Sequence, residues 1–112
     1  MQAQELLKML EEGGEGLQQE IPEHMEKFWS FAEKVKEEGK LTPKEKSLII
    51  LAAVAIKRCE GCMVNNLQHA LEAGVSREEL AELCSILMLV DGGPGFASSA
   101  FLLEKFKELS ND

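Results

Sequence analysis

LTPKEKSLIILAAVAIKRCEGC, residues 41–62, is the stretch whose reading decides the fold. Thr42 and Glu45 stand three apart just before an apolar run. In that arrangement the threonine hydroxyl accepts from the Glu45 backbone N–H while the Glu45 carboxylate accepts from that of Thr42, and Pro43 suits the first turn. A helix is therefore predicted from about residue 43 through LIILAAVAI (48–56). That run is far short of the roughly 20 apolar residues that a membrane span needs. It predicts a buried helix with apolar residues all round, which more than one neighbour must cover. Cys59 and Cys62 then open a further helix.

The pattern extends in both directions as more helices. Residues 2–12 carry Leu6, Leu7 and Leu10 on one stripe, and Gly13-Gly14 is the predicted stop. A second segment begins at Pro22, with Met25, Phe28, Trp29, Ala32 and Val35 at spacings of three and four, and Gly39 is placed to end it. The cysteine helix is predicted to end at Gly74. Ser76 and Glu79 form a second capping box ahead of Leu80, Leu83, Cys84 and Leu87, and the apolar run 86–90 again leaves no polar face. Asp91-Gly92-Gly93-Pro94-Gly95 reads as a tight turn before a last helix from about 96 to 109. No strand pattern appears. The fold class is all-α, a compact bundle of about six helices in one domain (1–112), with residues 1–20 as a mobile helical extension.

Composition agrees with that class. Of 112 residues 45% are hydrophobic, with one Trp, five Phe and no Tyr, so the core must be aliphatic, as packed helices favour. A small bundle with several apolar faces commonly completes its burial against copies of itself. The formal charge of −8 would repel phosphate backbones and makes nucleic acid an unsuitable partner. The N-terminus has neither the basic start nor the apolar run of a signal peptide, and no membrane role is indicated. Three cysteines without a leader point to a reducing compartment, the cytoplasm, where CxxC serves catalysis or metal binding more often than stapling.

At 100° per residue, with Cys59 at zero, Cys62, Asn66 and His69 fall at about 300°, 340° and 280°, one stripe of the helix. Met63, Val64, Leu67, Ala70 and Leu71 fill the opposite sector and predict the packing face. Two cysteines at i and i+3 in the first turn bring their sulfurs within bridging reach, and the helix dipole with its unpaired N–H groups favours thiolate. Lys57 and Arg58 add positive charge, against Glu60. Zinc needs four ligands, and His69 lies about 10 Å along the helix from Cys62, too far to share one ion with it. Neither a metal nor another cofactor is expected. Cys84 reads as core, and His24 as a surface histidine.

The ordered set LTPKEKSLIILAAVAIKRCEGC, ALEAGVSREELAE and DGGPGFASSA, spanning about Lys40 to Phe101, resembles the carboxymuconolactone decarboxylase superfamily, in particular its AhpD-like, alkylhydroperoxidase-type branch. The resemblance implies an all-helical domain assembled as trimers or hexamers, with the dithiol on a helix that faces a pocket near subunit contacts. It also implies that Cys62 attacks a hydroperoxide or disulfide, that Cys59 resolves the product, and that an external thiol reductant restores the pair. The helix dipole taken alone favours Cys59 as the first thiolate.

Two positions depart from the family. Its proton relay has a histidine four residues after the second cysteine and a glutamate twelve before the first, which here are Asn66 and Ser47. Neither is a base near neutral pH. Glu45, Glu60 and His69 are the candidate substitutes, each with a plainer role as cap, surface charge or solvated imidazole. The expected function is a CxxC-dependent thiol-disulfide oxidoreductase or alkylhydroperoxidase-like antioxidant protein. The alternatives are an oligomeric scaffold or small-molecule binder that lost the relay, and a decarboxylase of the kind that names the superfamily.

Overall fold

Both predicted capping boxes are formed, and they set the frame of the bundle. In the computed structural model, which describes residues 1–110, the elements are α1 (Ala3–Glu20), α2 (Pro22–Lys36), α3 (Pro43–Ile56), α4 (Glu60–Glu72) and α5 (Arg77–Ser110). Thr42 Oγ1 accepts from Glu45 N at 3.1 Å and Glu45 Oε1 accepts from Thr42 N at 2.8 Å; Ser76 and Glu79 repeat the exchange at the start of α5. Among the described residues every regular element is helical.

α5 is a hairpin rather than a rod. Gly92, at φ 62° and ψ −135°, interrupts it, so that its arms, 77–91 and 93–110, fold back on each other. Ser99 Oγ donates to Cys84 O at 3.5 Å across the two arms. These arms are the fifth and sixth helices that the sequence predicts. Gly95 makes the tight crossing possible: a Cβ there would lie 2.5 Å from Leu87 O and 3.0 Å from Leu87 C, both backbone atoms. Gly95→Ala is therefore expected to destabilise the fold by roughly 2–3 kcal/mol, at the upper end of overpacking costs. Gly93→Ala, whose Cβ would meet nothing within 4 Å, should stay near neutral; equal denaturation midpoints for the two variants would refute this account.

The core lies where α3, α4 and both arms of α5 meet. Leu51, Ala55, Met63, Leu67, Ala70, Leu80, Leu87, Leu102 and Phe106 form one buried cluster, so the predicted packing face of the cysteine helix is the one used. Ser98 Oγ reaches from the second arm to Ala55 O at 3.1 Å.

α1 corrects one expectation. It continues through Gly13, Gly14 and Gly16 to Glu20, because glycine only weakens a helix by about 1 kcal/mol and ends one chiefly by taking positive φ, which none of these three does. The start of α1 is tied to the last arm: Ala3 N donates to Glu108 Oε1 at 2.7 Å, and Lys105 Nζ donates to Met1 O at 2.7 Å. Further along, Leu10 lies over Gly61, between the two cysteines.

Several faces predicted to be covered are open. On α2 only Met25 is buried, while Phe28, Trp29 and Val35 are exposed. α3 leaves Ile49 exposed, and α5 leaves Ile86, Leu89 (84%), Val90 (68%) and Phe96 (61%) in contact with solvent.

Candidate functional site

The dithiol sits where α3 hands the chain to α4, and the turn between them has a defined form. Arg58 N donates to Ala55 O at 3.1 Å and Cys59 N to Val54 O at 3.3 Å, the paired hydrogen bonds of a Schellman motif. The residue just past the helix must then be left-handed, and Arg58 has φ 57°, the one non-glycine residue with positive φ among those described. α4 ends on the same motif, with Gly74 N on Leu71 O and Val75 N on Ala70 O, and there Gly74 holds the left-handed position at φ 89°. Arginine in that conformation costs about 1–2 kcal/mol.

The turn delivers Cys59 in extended conformation (φ −91°, ψ 100°) as the N-cap of α4. Cys62 N donates to Cys59 Sγ at 3.3 Å. Both are free thiols; Cys59 is half-buried and Cys62 is exposed. The neighbouring Cys59 sulfur, which accepts this hydrogen bond, is the main cause that raises the Cys62 thiol above its ordinary value, and partial burial adds to it. Lys57 opposes only weakly. The bond places the Cys59 sulfur against the N-terminal N–H groups of α4, at the N-cap. Exposure singles out Cys62.

Arg58 does not serve the thiols as the sequence predicts. Its guanidinium is engaged with Ile56 O at 2.5 Å and with Asp91 Oδ2 at 2.8 Å, at the elbow of α5. Cys84 is buried between the arms of α5, and burial raises its thiol above the ordinary range.

Ser47, Asn66 and His69 are brought together. They line a cleft of about 230 Å³ with Lys36, Lys46 and Glu72. Neither cysteine lines it. Asn66 closes the gap through the backbone, Nδ2 donating to Cys62 O at 2.8 Å. Burial lowers the His69 pKa, the positive charge of Lys36 lowers it further, and Glu72 opposes both, so the imidazole is neutral at pH 7. Lys46, which the sequence did not single out, donates to Val35 O at 2.7 Å and Glu37 O at 2.5 Å, which fixes the end of α2 beside the cleft.

The other two candidate bases lie elsewhere. Glu45 is held in the α3 cap, whose N–H and hydroxyl hold its carboxyl below the usual value. Glu60, on the first turn of α4, borders a separate cleft with Leu6, Phe101 and Lys105. His24 is exposed on α2. Among the described residues no three His, Cys, Asp or Glu side chains cluster closely enough to hold a metal ion. On the other side of α4 a larger apolar cleft, about 770 Å³, opens between α1 and α2, walled by Leu10, Leu17, Met25, Phe28 and Trp29 with Asn65 of α4 at its edge.

Comparison with known proteins agrees with this architecture. The model of the carboxymuconolactone decarboxylase family matches residues 22–105. An uncharacterized protein of Cupriavidus necator, H16_B0147, is 31% identical over 94 residues, 84% of this chain and 83% of its own. The crystal structure of apo-lpg0406, a carboxymuconolactone decarboxylase family protein from Legionella pneumophila, superimposes with a TM-score of 0.92 at 31% identity, over 96% of both chains. A family member from Thermotoga maritima, TM1620, shares the fold at a TM-score of 0.81 and 24% identity, over 96% of this chain and 91% of that one.

Proposed function

The chain belongs to the carboxymuconolactone decarboxylase family, and from that premise we propose that it is a dithiol oxidoreductase of the AhpD-like kind, acting through Cys62 and Cys59. The observation that carries this reading is the pair itself: an exposed Cys62 whose N–H donates to the sulfur of Cys59, one helical turn away at the start of α4. Cys62, the accessible sulfur, attacks a disulfide or hydroperoxide, and Cys59 closes on it. A thiol reductant then returns both to the reduced form, in a reducing compartment.

Disulfide exchange suits this site better than rapid peroxide reduction. It asks less of a general base, and Ser47 and Asn66 supply none. The exposed apolar surfaces of α2, α3 and α5 support self-association, with a trimer or hexamer as the assembly the resemblance implies. Those surfaces together with Ser47 and Asn66 also favour a second reading, an oligomeric scaffold that has kept the fold without the chemistry.

Thiol-state mass spectrometry across glutathione buffers separates the two. The oxidoreductase reading expects a Cys59–Cys62 disulfide to form reversibly while Cys84 stays reduced. It fails if no such disulfide forms at any buffer ratio and native Cys62 resists alkylation.

A further inference from the structure

Arg58 occupies a position that favours glycine, and its side chain is committed to a specific partner. At the equivalent end of α4 the chain uses Gly74, in the same Schellman geometry. Arg58 instead accepts a left-handed backbone, and its guanidinium joins Ile56 O, within its own turn, to Asp91, the residue before the bend at Gly92. Asp91 Oδ2 is partly sheltered, its side chain 21% exposed. Ser98 ties the same turn to the other arm of α5 through Ala55 O, the very carbonyl that accepts from Arg58 N. The next residue after Arg58 is Cys59, so both contacts fix the backbone from which that thiol projects.

We infer that Arg58, clamped to Asp91, is a positioning residue that holds Cys59 ready to resolve a mixed disulfide on Cys62. The inference rests on the dithiol reading. In the first step the Cys62 thiolate attacks a substrate disulfide RS–SR, forming Cys62–S–S–R and releasing RS⁻, with the Cys62 proton passing to solvent or to the leaving group. In the second step the Cys59 thiolate attacks Cys62 Sγ, forming the Cys59–Cys62 disulfide and releasing the second RS⁻. The protein dithiol is oxidised by two electrons and RS–SR is reduced to two thiols. The second step requires Cys59 to be held in line with Cys62 Sγ, whereas the first requires an accessible Cys62. A sulfur kept in line with its target gains effective concentration that a loose turn loses.

The test uses an aromatic disulfide whose released thiolate is coloured, mixed with the reduced full-length protein. The first equivalent of colour reports attack by Cys62 and the second reports resolution by Cys59, since Cys84 is buried. Asp91→Asn is expected to slow the second phase about fivefold or more while the first stays within about twofold. Asp91→Glu should restore most of the loss. Arg58→Gly, which relieves the backbone and therefore folds, should slow the second phase as Asp91→Asn does. An unchanged second phase in both Asp91→Asn and Arg58→Gly overturns the inference, as does equal slowing of both phases. If the native protein releases no thiolate at all, the dithiol reading itself has failed.

Discussion

Cys62→Ser is expected to abolish disulfide exchange, to below about a thousandth of the native rate, because a neutral hydroxyl is no nucleophile toward a disulfide sulfur. Cys59→Ser should behave differently: attack still occurs, but the reaction stalls at a mixed disulfide on Cys62 that mass spectrometry can isolate. The order of the two roles is the point at issue. Cys59 holds the N-cap at the helix start, whereas Cys62 is the thiol exposed to an incoming disulfide. Access decides, because the three sulfurs must line up in the transition state, and the exposed Cys62 offers that line of approach more openly than the half-buried Cys59. The raised Cys62 pKa then has a kinetic consequence. Its thiolate fraction at neutral pH is small, so native attack should climb about tenfold per pH unit through the neutral range and level off only above the ordinary thiol range. Removing Cys59 takes away the largest cause of that shift, and Cys62 in Cys59→Ser should react with iodoacetamide at pH 7 at least as fast as in the native protein. A stable adduct on Cys59 in Cys62→Ser, with none on Cys62 in Cys59→Ser, would reverse the assignment.

How much of this was legible in the sequence depends on what kind of residue carried the information. Thr42 and Ser76 gave away two helix starts because a capping box needs two residue types at a fixed spacing. The packing face of α4 followed from its period, since Met63, Val64, Leu67 and Ala70 share one sector. Gly13-Gly14 misled because glycine marks a helix end only when the backbone turns left-handed, and the residue name does not say whether it will. Arg58 is the converse. A left-handed arginine leaves no signal, and its partner Asp91 is far away in sequence, so both the turn and the clamp emerge only when α3, α4 and α5 are packed together. The apolar period of α2 and the run 86–90 suggest buried faces, but in a single chain Phe28, Trp29, Val35, Ile86, Leu89 and Val90 are exposed.

Ser47 and Asn66, where the sequence departs from the relay that the resemblance implies, lead to the larger gain of function. Ser47→Glu with Asn66→His is expected to raise hydroperoxide turnover by about 10²-fold, the lower end of what a positioned general base contributes. The structure gives a reason to expect the pair to act together. Ser47 and Asn66 line one cleft, and Asn66 already contacts the Cys62 backbone, so a histidine there stands one turn from the thiol with a carboxylate across the cleft to orient it. Asn66→His alone should give a smaller gain, because an unoriented imidazole spends less time in the productive geometry. His69 provides the internal control. It shares the cleft and is neutral at pH 7, so it has the protonation state of a base, yet it lies about 10 Å along α4 from Cys62. His69→Gln should therefore leave native peroxide turnover within about twofold. If His69→Gln instead removes the native activity and the double variant adds nothing, the base has moved along the helix, and His69 does the work that the resemblance implies for position 66.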